Sequence, residues 1–545
     1  MRFISTCLFS AALIWAQEDH SRHTHAVAGL GSVKFATTCS SAGQQQFSRA
    51  IALLHSFGYA EARTAFQNTA KADNGCAIAH WGEAMTWYHP IWLPPSPEEL
   101  KQGAAAIERA LATPAGSRRE RDYIEALAAF YKDWQGTEHR SRAAAYEQRM
   151  AGVHGRYPAD DEAAIFHALQ ILSLGYLDPT DKTYSRHKQA AKILNSVLPR
   201  NQDHPGVAHY VIHSFDFPSL ANLALPAARA YAKIAQDASH AQHMPSHIFI
   251  RLGLWDDSIS SNIAAAAAAV SQAQRTHGGG GAFDQLHAMD YLVYAYLQNA
   301  QDHSARRVLD QMAAISRLDE QQFAAAYAFA AAPARYALER RDWKAAARLE
   351  LAPAWFPWNR FPNVVVLLQF ARAIGAARAG DHATATGAVQ AITGVRKALP
   401  PSRDYDWSGA IGAQWEAASA LLAYAEGKKE EGLEALRRAA DREDSIDKHP
   451  VTPGAVLPVR EILADLLVEN GRHTQALAEY EAVLRVAPRR FNSVAGAAGS
   501  AQAAGDAVKA RRFYTELLKL AQKAEVDRPE ISLARAFLDQ NTKNR

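Results

Sequence analysis

Histidine is the residue whose spacing in this chain could do chemistry. The sequence has 22 histidines; eight fall between His204 and His287, and only three follow His303. His209 and His213 stand four apart, with Asp216 three further on. His240, His243 and His247 stand three and then four apart, and His287 is followed by Asp290 and Tyr294 at the same spacings. Residues three and four apart share one face of a helix. Imidazole and carboxylate suit Zn, Cu, Fe or Mn, and an i,i+4 histidine pair is a good first half of a metal site. The candidate ligands for a divalent transition metal are therefore His209, His213, Asp216, His240, His243, His247, His287 and Asp290. The same residues also suit a hydrogen-bonded polar lining with no ion, and His204 and His240 suit helix N-termini. Spacing leaves both readings open.

The elements that must position these residues are helices. Gly471, Ala476, Tyr480 and Leu484 recur 34 residues later as Gly505, Ala510, Tyr514 and Leu518. A small residue at the turn, an Ala where two helices approach and a Tyr and Leu facing the next pair describe a tetratricopeptide-type helix pair. Looser copies of the pattern recur around Tyr59, Gly253, Ala300, Arg341, Gly380 and Gly427. No alternating strand pattern of useful length is present. The expected fold is all-α: a right-handed superhelical solenoid of ten to twelve degenerate tetratricopeptide-like pairs. In that register three successive first helices turn His209/His213/Asp216, His240/His243/His247 and His287/Asp290/Tyr294 toward one concave groove. Pro245 complicates the middle set, because it can start the regular helix and leave His240 and His243 in the lead-in turn.

Arg2, the apolar stretch Phe3 to Trp15 and the small Ala16 have the form of an export signal, so residues 1–16 are expected to be removed. Residues 17–42 read as a loosely ordered arm, 43–316 as a His-rich half of the solenoid and 317–545 as a C-terminal half. The expected compartment is periplasmic or extracellular. Cys39 and Cys76 can form one disulfide there, or remain as two buried thiols.

Charge excludes some functions. The 59 basic and 56 acidic residues leave a net charge of +3, which gives nucleic-acid binding no electrostatic support. No internal apolar run is long enough to span a bilayer. Phosphate-binding loops, dinucleotide fingerprints, His-Glu-x-x-His and Gly-x-Ser-x-Gly are all missing. His89, beside Trp81, Trp87 and Tyr88, suits either an aromatic cage or ordinary core. His55 near the end of the first helix suits either the groove or a packed position.

Several segments resemble a group of large exported bacterial tetratricopeptide-repeat proteins of unestablished activity. They are Leu53 to Tyr59, Trp81 to Met85 with His89 to Trp92, His240 to Gly253, and His287 to Gln298. The resemblance spans about residues 35–300 and implies the fold and export but no substrate. Candidate ligand contacts are His55, His89, Tyr294 and Gln298. The function expected first is a solenoid that holds a peptide, protein or small molecule in a His-lined groove, with or without a bound metal. The alternative is a metal-dependent enzyme using the His/Asp cluster.

Overall fold

A computed structural model describes residues 25–543 apart from 28, 92, 319 and 401–404. The expected signal segment lies outside those residues. Consecutive helices pack antiparallel in pairs from Ser41–His55 with Tyr59–Ala72 through to Phe491–Ala503 with Ala507–Leu520, and Pro529–Lys543 closes the series. Twelve such pairs are described, with a single two-stranded hairpin, His25–Val27 against Gly31–Val33, at the N-terminal end. The all-α helical-repeat solenoid expected from the sequence is the fold. The turn residues explain its regularity. Gly471 and Gly505 sit at φ of +69° and +81°, and Gly253, Gly380 and Gly427 hold the same left-handed conformation at their turns. Ala300 and Arg341 take it at φ of +54° and +56° despite carrying a Cβ, so the degenerate repeats keep the turn while losing the glycine.

The arm from Gly29 to Ala42 is more tightly held than its polar composition suggests. Leu30, Val33 and Phe35 are buried, and Phe35 packs against Phe47 and Tyr123 at ring distances of 5.2 and 4.9 Å. Thr38 bonds both carboxylate oxygens of Glu120 at 2.6 Å. Three apolar residues at spacings of three and two were too few to announce this docking. Cys39 and Cys76 form a disulfide, with Cα atoms 4.9 Å apart.

Most buried apolar side chains fall in two large clusters, one from Leu30 to Phe249 and one from Ile250 to Ala534, with Ala269, Ala273 and Ala282 forming a small third. The array then curls so that late repeats touch earlier ones. Trp255 Nε1 donates to the Arg489 carbonyl at 2.8 Å, Glu525 N donates to the Ala300 carbonyl at 3.0 Å, and Lys523 pairs with Asp256 at 2.8 Å. Residues 446–457, between two C-terminal pairs, reach the interior. Lys448 meets Asp216 at 3.0 Å, and the Gly454 carbonyl accepts from Arg335 and Tyr327 at 3.1 and 3.3 Å. The expected open groove is therefore covered at the histidines, which are at most 8% exposed.

Candidate metal centre

Three groups of potential ligands converge among the described residues: His209/His213/His240, His243/His247/His287 and His55/Glu162/His204. Within each group the donor atoms lie within 4.8 Å of one another. The first group is built by the Pro205–Phe215 helix, whose His209 and His213 point the same way, and by the short Ser239–His243 helix. His209 Nε2 stands 3.1 Å from both His213 Nε2 and His240 Nε2. Phe57 and Tyr231 wall this group, with rings 4.3 and 5.1 Å from that of His209. The second group joins His243, His247 from the Pro245–Arg251 helix, and His287 from Phe283–Gln298. His243 Nε2 and His247 Nε2 are 3.0 Å apart, and the His287 ring lies 4.1 Å from that of His243.

The partition differs from the sequence register. His240 does not share a site with His243 and His247. Met244 and Pro245 separate two short helices, and His240, one turn earlier, reaches back to His209. Asp216 and Asp290 are not in either group. Asp216 accepts from His247 Nδ1 at 3.0 Å, from Arg251 Nε at 2.9 Å and from Lys448 at 3.0 Å. Asp290 is paired with the buried Arg335. Tyr294 packs against Trp255 with its ring 5.3 Å away, and Gln298 Oε1 accepts from Phe491 N at 2.8 Å, so both serve the junction with the C-terminal repeats. His89 caps its helix in the left-handed region and pairs with Glu99 at 3.2 Å.

Tautomers decide what these groups can do. A neutral imidazole has one N–H and one lone pair. His243 Nδ1 faces Asn262 Oδ1 at 2.7 Å, and the Asn262 amide nitrogen is occupied by the Ser258 carbonyl at 2.8 Å, which fixes the oxygen toward the ring. His247 Nδ1 donates to the Asp216 carboxylate at 3.0 Å, and His209 Nδ1 donates to the His55 carbonyl at 2.6 Å. In all three the N–H is therefore on Nδ1 and the lone pair on Nε2. For His243 and His247 both lone pairs face each other at 3.0 Å. Opposed lone pairs repel unless a cation lies between them. Four ligands around an ion at about 2.0–2.1 Å in tetrahedral array would sit about 3.3–3.4 Å apart, so the observed spacing is within a few tenths of an ångström of a coordination sphere. Nδ1 bonds to a carboxylate, an amide and a backbone carbonyl are the usual means of orienting metal-binding histidines.

Electrostatics favour neutral rings. Burial lowers the pKa of His209, His213, His240, His243 and His287 well below the ordinary value, and neighbouring imidazoles lower each further. His247 is also lowered by burial, against the pull of Asp216. Burial opposes ionisation of Asp216, but Lys448, Arg251 and His247 outweigh it and keep the carboxylate charged.

The third group is different, and sequence spacing did not reveal it. His55 Nε2 and His204 Nε2 each meet one oxygen of Glu162 at 3.0 Å, and His55 Nδ1 meets the Tyr210 hydroxyl at 2.9 Å. Glu162 is thereby complemented by hydrogen bonds, so this group needs no ion. Its service to the site is the His55 carbonyl that fixes His209. Asn262, Glu162 and Lys448 gave no signal as parts of the site, since nothing in their spacing ties them to the histidines.

The fold and these groups define a helical-repeat protein with a buried polyhistidine centre. No protein-family model and no curated protein matches the chain. Solved structures similar to it include the human IFIT1 dimer with PPP-AAAA, at 12% identity and a TM-score of 0.36 over 88% of this chain and 91% of that one. Yeast Tom70 is 12% identical with a TM-score of 0.29, covering 92% and 96% of the two chains. The P58(IPK) TPR domain is 14% identical with a TM-score of 0.21, covering 69% and 99%. At these values the likenesses say nothing about ligand or activity. Among the described residues, no helix is long and apolar enough to cross a membrane.

Proposed function

We propose that this chain is an exported metalloprotein in which the helical repeats hold two transition-metal ions, one in each three-histidine group. The observation that carries the reading is the pair of opposed Nε2 lone pairs on His243 and His247, each fixed by its own Nδ1 partner. All-imidazole donor sets suit Zn, Cu or Fe better than Mn, which prefers the carboxylates that are tied up elsewhere here. The Cys39–Cys76 disulfide supports an oxidising compartment.

Three protein ligands in the His209/His213/His240 group leave that ion a further coordination position, which is the count used by catalytic rather than structural zinc sites. That favours, as a second reading, a metal-dependent reaction on a small molecule. A peptide or protein laid along these histidines would first have to displace residues 446–457.

The test is elemental analysis of the purified full chain, with thermal unfolding before and after chelation. We expect up to two equivalents of Zn, Cu or Fe. His243→Ala/His247→Ala should lose one and His209→Ala/His213→Ala the other. A wild-type chain that takes up no Zn or Cu, and whose melting temperature neither metal raises, would overturn the proposal.

A further inference from the structure

Tyr291 lies one turn after His287 on the Phe283–Gln298 helix, so both side chains project from the same face. It is fully buried. Its ring stands 4.6, 5.2 and 5.3 Å from the rings of His243, His247 and His287, so it touches the whole second group. Its hydroxyl is 3.2 Å from His247 Nε2. Because Asp216 holds the proton of His247 on Nδ1, the hydroxyl must donate to Nε2, which is the same lone pair an ion would take.

We propose that Tyr291 is the fourth ligand of the ion bound by His243, His247 and His287, and that it binds as a phenolate. This inference rests on the reading of that group as a metal site. The hydroxyl oxygen is already at nearly the spacing expected between neighbouring ligands of one ion, about 3.3–3.4 Å for bonds of about 2.0–2.1 Å. An ion on His247 Nε2 removes the hydroxyl's hydrogen-bond acceptor, and a buried hydroxyl left without a partner is costly. Coordination resolves this. The O–H bond breaks, a metal–oxygen bond forms, the proton leaves to solvent and no electron is transferred. The bound phenolate also lowers the charge of a divalent centre from +2 to +1. That charge lies in a buried site already facing Lys448 and Arg251 across Asp216.

The experiment loads the full chain with Cu(II) alone and reads copper content, visible absorption and resonance Raman excited within the absorption band. The expected result is a phenolate-to-copper charge-transfer band with enhanced phenolate vibrations in the wild type. Tyr291→Phe should abolish both while its copper content matches the wild type, since the ring and the three imidazoles remain. Copper binding without a phenolate band would overturn the Tyr291 assignment and leave the three-histidine sites standing. A band that survives in Tyr291→Phe would also overturn it, by placing the phenolate on another tyrosine. Failure of the wild type to take up copper, and zinc offered in its place, would overturn the metal reading itself, whereas uptake of zinc alone would overturn the copper–phenolate assignment.

Discussion

The two halves of the solenoid bury polar side chains in opposite ways. In the C-terminal repeats they come as oppositely charged groups bonded to one another. Arg490 gives Glu461 two hydrogen bonds, of 2.7 and 3.0 Å, and forms an ion pair with Glu339 at 2.6 Å, with all three side chains buried. In the N-terminal repeats they come as histidines whose lone pairs converge, as at His243 and His247. A matched set is complete in itself. On the proposed reading, a convergent set is completed by a metal ion that the chain does not encode. The His55/Glu162/His204 group shows that the N-terminal half can also build complete sets, so convergence at the other two groups is not a general habit of that half.

The largest way to break this comparison is in the C-terminal half. Arg490→Met strands two buried carboxylates and should cost about 3–5 kcal/mol of stability, equally with and without metal. Changing Glu339 and Glu461 to Leu in the same variant should restore most of the loss, because replacing a whole buried ion set by apolar groups is often neutral. Thermal unfolding measures both. A loss that depends on added metal would mean the two halves are not chemically separate. In the N-terminal half, by contrast, chelation should lower stability by about 2.7 kcal/mol for each ion removed, relative to metal at a hundredfold excess over Kd.

A finer change targets orientation. Asn262→Ala frees the Nδ1 proton of His243 without touching a proposed ligand. We expect metal affinity to fall by about 10–100-fold, or about 1.4–2.7 kcal/mol, with full occupancy still reached at saturating metal. Calorimetric titration separates the two quantities. Unchanged affinity would mean that the Asn262 contact does not set the ring's tautomer.

What could be read in the sequence follows from distance along the chain. The helix pairs were legible because each is local: Gly471 to Leu484 and Gly505 to Leu518 declare a turn and a packing face within 14 residues. The His209/His213 and His243/His247 pairs were legible for the same reason. The assignment of His240 was not, because it depends on the two short helices flanking Met244. The burial of the site was not, because Lys448 is 232 residues from Asp216. Tyr291 was passed over for Tyr294, since the helix face that meets the histidines is fixed by contacts to other helices rather than by the local pattern.

The smallest effect concerns a histidine of the C-terminal half that has no convergent partner. His449 is buried between Phe323 and Trp407, with rings 4.7 and 5.3 Å away, and its Nδ1 accepts from Val451 N at 3.2 Å. Burial, and then Lys448, lower its pKa from 6.5 to about 3. Between those values the unfolded chain holds a proton that the folded chain does not, so stability must fall as pH falls below 6.5. Going from pH 7.5 to 6.0, this one residue should cost about 0.8 kcal/mol, a figure set by the unfolded value alone while the folded pKa stays far below. His449→Gln keeps an acceptor for Val451 and cannot titrate. Its stability should therefore drop by about 0.8 kcal/mol less than that of the wild type over the same interval, with chelator present in both. Equal drops would mean that His449 takes up its proton in the folded chain and that residues 446–457 do not seal the interior.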